Sequence, residues 1–137
     1  MGAFNHPSWI MFIRSLHNDN KHLGVPTYIN IRLLKLCFLL RKDIFNYIDI
    51  NLISFFNHSI MRFIINIYSD DQQSTLKYLK NTEVNLNNVI IMTGNFNIRD
   101  NNWDPLYLHY STHVDILRKI ADSFNLELSI PINQVST

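Results

Sequence analysis

Val89-Ile90-Ile91-Met92-Thr93-Gly94-Asn95-Phe96-Asn97-Ile98 is the stretch on which the fold of this chain turns. Four apolar residues in succession, Val89 to Met92, predict a strand buried on both faces. The strand runs out at Gly94. Side chains alternate along extended backbone, which sends Asn95 and Asn97 to one side and Phe96 to the core. Two polar side chains converging at the C-terminal edge of a buried strand suit a site that grips one phosphate.

Working back from this strand, Arg62 to Tyr68 alternates, with Phe63, Ile65 and Ile67 on one face. Ile50 to Phe56 is a second apolar, branched and aromatic run, and the polar turn Asn57-His58-Ser59 joins the two as a predicted hairpin. Between the hairpin and Val89, the period changes. Leu76 and Leu79 stand three apart among helix formers, and Asp70 and Asp71 precede them, where negative charge suits a helix start. A helix over about residues 72–80 follows. Tyr28 to Leu33 alternates like a strand, while Leu34 to Phe45 is compatible with strand or helix. Residues 1–27, with Pro7, Gly24 and Pro26, read as mostly loop with one short strand around Trp9 to Ile13.

Downstream, Val114, Leu117, Ile120, Ala121 and Phe124 form an apolar stripe on a helix from about His113 to Phe124. Thr112 and Asp115 have capping-box spacing at its start. Leu126 to Ile130 is expected to add one more strand before Pro131. Strands alternating with helices make an α/β protein. No glycine-rich loop opens a helix, which disfavours a doubly wound nucleotide-binding fold.

The 137 residues suit a single domain, residues 1–137, and 47% of them are apolar, which excludes a disordered chain. A net charge of +1 lacks the basic excess of a free-standing nucleic-acid binder. The single cysteine, Cys37, lies between Leu36 and Phe38 and is expected to be a buried thiol. No apolar run is long enough to span a bilayer, and Met1 to Ile13 lacks a secretory pattern, so an intracellular protein with no membrane contact is expected. There are 18 Asn and 19 Ile but three Gly, a bias that suggests AT-rich codons. In such a background a single base change turns Asp into Asn.

Gly94-Asn95-Phe96-Asn97 closely resembles the Gly-Asp-Phe-Asn signature of the endonuclease/exonuclease/phosphatase superfamily. Ile65-Asn66-Ile67-Tyr68-Ser69-Asp70 is similar to that family's strand ending in tyrosine, with a helix after it. Trp103-Asp104-Pro105, Ser111-Thr112-His113 and Ile120-Ala121-Asp122-Ser123-Phe124 resemble the retrotransposon-encoded version that accompanies a reverse transcriptase. The resemblance covers about residues 5–137. It implies part of a four-layer α/β/β/α sandwich, incomplete at both ends, from a metal-dependent phosphodiesterase.

The resemblance also implies roles. Asn97 matches the asparagine that bonds the scissile phosphate or its attacking water, and Tyr68 the tyrosine whose hydroxyl contacts that phosphate. Asn95 stands where the family has its catalytic aspartate. A carboxylate accepts a proton from water; a carboxamide is neutral and does not. The family holds magnesium through a glutamate on an early strand, yet Glu83 and Glu127 are the only glutamates here. Its terminal Asp-His pair has no counterpart either. A degenerate, inactive domain is therefore expected, with no cofactor bound and weak or absent nucleic-acid binding. Its open sheet edges would aggregate or take up a partner chain. The alternatives are a non-catalytic binding module and a subunit completed by that partner.

Other polar residues carry plainer readings. His109 and His113 are four apart but straddle a helix start, which favours loop and cap roles over a metal site. Asp70 and Asp71 read as helix-start charges. Trp103-Asp104-Pro105 reads as a turn, and Arg32, Lys35, Arg41 and Lys42 as a solvated basic face.

Overall fold

The computed structural model describes residues 7–13, 15–16, 19–32, 39–42, 44–82, 86–100, 106, 112–127 and 129. The elements run β1 (Trp9–Phe12), β2 (Ser15–Leu16), β3 (Asp19–Leu23), β4 (Thr27–Asn30), β5 (Leu39–Lys42), β6 (Ile50–Asn57), β7 (Ile60–Tyr68), α1 (Ser74–Asn81), β8 (Val89–Asn95) and α2 (Thr112–Ser123). This is a mixed α/β protein. Cys37, Lys35, His109 and Trp103-Asp104-Pro105 lie outside the described residues, as does the side chain of Arg41.

The central sheet has the order β5-β6-β7-β8. β6 and β7 form the hairpin that the alternation predicts, pairing antiparallel from Ile50↔Ile67 to Asn57↔Ile60. His58 and Ser59 take the two turn positions with φ of 51° and 66°, the left-handed backbone a two-residue hairpin needs. β8 then pairs parallel with β7, because α1 carries the chain back to the start of the sheet.

Each face of this sheet has a different neighbour. Ile50, Leu52, Phe63, Ile65 and Ile67 pack in one cluster with Leu76 and Leu79 of α1 and Leu117 and Ile120 of α2. The opposite face buries Ile53 with Ile29 of β4, and Phe12, Phe55 and Ile64 close around them. Each such aliphatic side chain removed from water contributes about 1.5–3 kcal/mol, so this two-sided burial is the main support of β6 and β7. Polar anchoring adds to it. Asn51 donates to Phe12 O at 2.7 Å, Thr27 Oγ1 at 2.9 Å and Val25 O at 3.3 Å. Its register partner Asn66 donates to Pro26 O at 2.9 Å and Thr27 Oγ1 at 3.1 Å.

The structure corrects several expectations. The short strand expected around Trp9 to Ile13 is present as β1, paired with β4, and among the described residues before Thr27 two further strands, β2 and β3, pair where loop was expected. The β3 stretch Asp19-Asn20-Lys21-His22 is polar throughout, so periodicity does not mark it. The strand expected over Tyr28 to Leu33 stops at Asn30, whose Oδ1 accepts the Arg32 N–H at 3.0 Å and turns the chain. Leu126, Glu127 and Ser129 are not in a strand. Asn125, with φ of 55°, closes α2, and Leu126 N–H donates back to Ala121 O at 2.9 Å. Thr112 is the first helical residue and not the cap before it.

β8 is also not buried on both faces. Val89 is buried, but Ile90 and Ile91 are exposed. β8 is the outermost of the four described strands, and the pairing with β7 shifts register at Phe63/Ile64, leaving Ile90 as an extra residue.

Candidate functional site

Tyr68 and Asn95 are the last residues of β7 and β8 and register partners in the parallel pair. Ligands of open parallel sheets collect beyond such C-terminal ends, where the connections diverge. Here the chain leaves β7 for α1 and leaves β8 for the segment from Phe96 to Asp100. Tyr68 is 43% exposed, and Asn95 and Asn97 are both exposed. The three residues singled out from the sequence therefore meet at one edge.

How they meet differs from the expectation. Asn97 has φ of 49°, so the backbone is not extended and alternation cannot place its side chain beside that of Asn95. A turn forms there instead. Asn95 Oδ1 accepts the Asn97 N–H at 3.0 Å, and Asn97 Nδ2 donates to the carbonyl of Ser69. Both carboxamides thus hold the turn as well as line the edge. Phe96 points the other way, half-buried against the helix-side core, as expected.

Gly94 is needed for the approach of the two strands. Its φ is +138°, and a Cβ there would stand 1.8 Å from the carbonyl oxygen of Ile67. Only glycine fits. Ser69 N–H then donates to Asn95 O at 2.8 Å, carrying the strand pairing one residue beyond Tyr68.

Asp70 caps α1. Its carboxylate accepts the Ser74 N–H at 2.8 Å and the Ser74 hydroxyl at 2.9 Å, and these bonds hold its pKa below the ordinary carboxylate range. The helix-start reading of Asp70 therefore fits the geometry. Asp49, just before β6, shifts the opposite way: partial burial raises its pKa first, and the negative Asp70 raises it further. Tyr68 N–H donates to Asp49 O at 3.0 Å, which places Asp49 at the same end of the sheet.

Sequence reasoning missed Asp49, Ser69 and Gln73. Ser69 and Gln73 are fully buried, and their side chains bond each other between β7 and α1. Asp49 has a weak signal, a carboxylate between Ile48 and Ile50. Gln73 has none, since a glutamine before a helix normally faces water. His113 is half-buried on α2, Arg32 is exposed and Lys42 half-buried.

Of the residues at this end of the sheet, which include Asp49 and Asp70, the three singled out from the sequence are poorly suited to magnesium, which prefers carboxylate oxygens in octahedral geometry. Tyr68, Asn95 and Asn97 are a phenol and two neutral amides. Among the described residues no group of three His, Cys, Asp or Glu could hold a metal ion. None of the helices among those residues is long and apolar enough to cross a membrane. No family model matches the chain, and comparison with curated proteins and with solved structures finds no match.

Proposed function

We propose that this chain is a degenerate domain of the endonuclease/exonuclease/phosphatase type, of retrotransposon origin, that keeps a phosphate-facing edge and has lost the chemistry. The observation that carries this reading is the pairing of Tyr68 with Asn95 at the ends of adjacent parallel strands, with Asn97 bonded to the Asn95 side chain and the Ser69 carbonyl. Three amide or hydroxyl groups at one edge can donate hydrogen bonds to a phosphate. None of them can take a proton from water, and general-base catalysis is typically worth about 10²–10⁴-fold.

The layer order supports the same ancestry. Helices cover one face of the central sheet and the β1–β4 pair the other, which is the sequence of layers that part of a four-layer α/β/β/α sandwich would have. The test is incubation of the purified chain with supercoiled plasmid and magnesium. No nicking is expected. Nicking that disappears in Asn97→Ala would overturn the proposal, because it would place a working nuclease at this edge.

A further inference from the structure

The candidate edge depends on a side chain that no ligand there would touch. Gln73 is fully buried where β7 hands over to α1, and its backbone is left-handed, with φ of 61°. Glycine takes that conformation with less strain, and leucine would fill the same space. A glutamine here must therefore be explained by its two polar ends.

Both ends are used. Gln73 Oε1 accepts the Ser69 hydroxyl at 3.0 Å, and Gln73 Nε2 donates to the Asn97 carbonyl at 3.0 Å. Ser69 in turn accepts the Asn97 carboxamide at its carbonyl and donates its N–H to Asn95 O at 2.8 Å. Asn97 N–H closes the circuit on Asn95 Oδ1 at 3.0 Å. The end of β7, the start of α1 and the loop after β8 are each tied to the other two. Buried hydrogen bonds of this kind fix direction, because no water replaces a lost partner.

We propose that Gln73 is the positioning residue of the candidate site: it holds the Asn97 carbonyl, and through the turn sets the Asn95 and Asn97 carboxamides beside Tyr68. The word site rests on the phosphate-facing reading above; the clamp itself does not. The chemistry demands an acceptor at one end of residue 73 and a donor at the other. A carboxylate would satisfy Ser69 but oppose the Asn97 carbonyl, whereas the protonated acid could donate to it.

The test is amide hydrogen exchange by NMR on the full ¹⁵N-labelled chain, with each variant compared to wild type at the same pH. In Gln73→Leu the Asn97 N–H is expected to exchange about tenfold faster, the scale of one net hydrogen bond, while Leu52 and Ile53 keep their protection. Gln73→Glu should match the leucine variant at neutral pH and regain the wild-type pattern on acidification. A packing role would not produce that rescue. Unchanged exchange at Asn97 in the leucine variant, or a glutamate variant without pH dependence, overturns the proposal. If the leucine variant does not fold, the pH series of the glutamate variant decides. Inorganic phosphate is the ligand probe: it should shift the Asn95 and Asn97 resonances of wild type and shift them less in Gln73→Leu. A wild type silent to phosphate, with the exchange pattern intact, overturns the phosphate-facing reading and the positioning role with it, but leaves the clamp.

Discussion

Ser69 donates its backbone N–H to the carbonyl of Asn95 at 2.8 Å and accepts the carboxamide of Asn97 at its own carbonyl, so one residue past β7 holds both asparagines that follow Gly94. The asparagines are therefore part of the fold before they are part of any site. That dual duty shapes what substitution there should do.

Asn95→Asp should fold as well as the parent. The side-chain oxygen that accepts the Asn97 N–H survives, and an ionised acceptor makes a stronger bond. Its effect on stability is expected to stay within about 1 kcal/mol, as for most exposed substitutions. On the proposed reading, a carboxylate at residue 95 alone should still give no plasmid nicking with magnesium, since it brings no further metal ligand with it. Urea denaturation and the plasmid assay check both halves, and cleavage by this variant alone would contradict the second.

Gly94→Ala should be severe. The Cβ would collide with the Ile67 carbonyl while the backbone sits at φ of +138°, so β7 and β8 must separate. A loss of more than about 3 kcal/mol is expected, at the high end for single substitutions. Urea midpoints measure it. A near-normal midpoint would mean that the strands are not this close.

Asn51→Asp tests the contact between the layers. The Asn51 amide faces two carbonyls and the Thr27 hydroxyl, and its residue is 1% exposed. A carboxylate there donates nothing and brings buried charge, costing about 2–4 kcal/mol by loss of buried hydrogen bonds and desolvation. Because burial raises the pKa of the new acid, the deficit should shrink as pH falls and the acid protonates. Equal stability of variant and parent at pH 7 would count against the packing of β6 on the segment before β4.

The pH dependence should carry two opposing carboxylates. Asp49 has a raised folded pKa, so its contribution favours folding below the unfolded value of about 4 and is lost as pH rises through the folded value. Asp70 has a lowered one, so its contribution is present above about 4 and lost as pH falls through the folded value. Asp49→Asn is accordingly expected to stabilise the protein at pH 7, with a gain that fades in acid. Asp70→Asn should in turn lower the Asp49 pKa, because the neighbouring charge that raises it is gone. Carboxyl NMR titration reads that second effect, and an unmoved Asp49 would break the link between the two groups.

Ile91→Lys should improve solubility. Ile91 is 47% exposed on the outermost described strand, and β8 carries no charged residue or proline to discourage edge pairing. Light scattering against concentration is the measurement. Aggregation unchanged by the lysine would place the sticky surface elsewhere.

The hairpin and both helices were legible because their signals are local. Ile50 to Phe56 and Arg62 to Tyr68 alternate or run apolar around a polar turn, and the stripe from Val114 to Ile120 repeats at helical spacing. Of the early strands, β1 and β4 were legible in outline but β2 and β3 were not, since a pair that short carries too little pattern. Tyr68, Asn95 and Asn97 were singled out by resemblance and by a strand-edge argument whose geometry was only half right: the left-handed Asn97 ends the alternation, and a hydrogen-bonded turn replaces it.

What this sequence determined alone is the hairpin, both helices and the strand that ends at Gly94 and Asn95, together with the chemical identity of that edge, a phenol and neutral amides. Tertiary structure decided which face of each strand is wet, that Ile90 and Ile91 lie open, and that Gln73 is buried between two partners. The physical reason is range: periodicity and turn preference act over a few residues, whereas burial and amide bonding depend on which distant segments become neighbours.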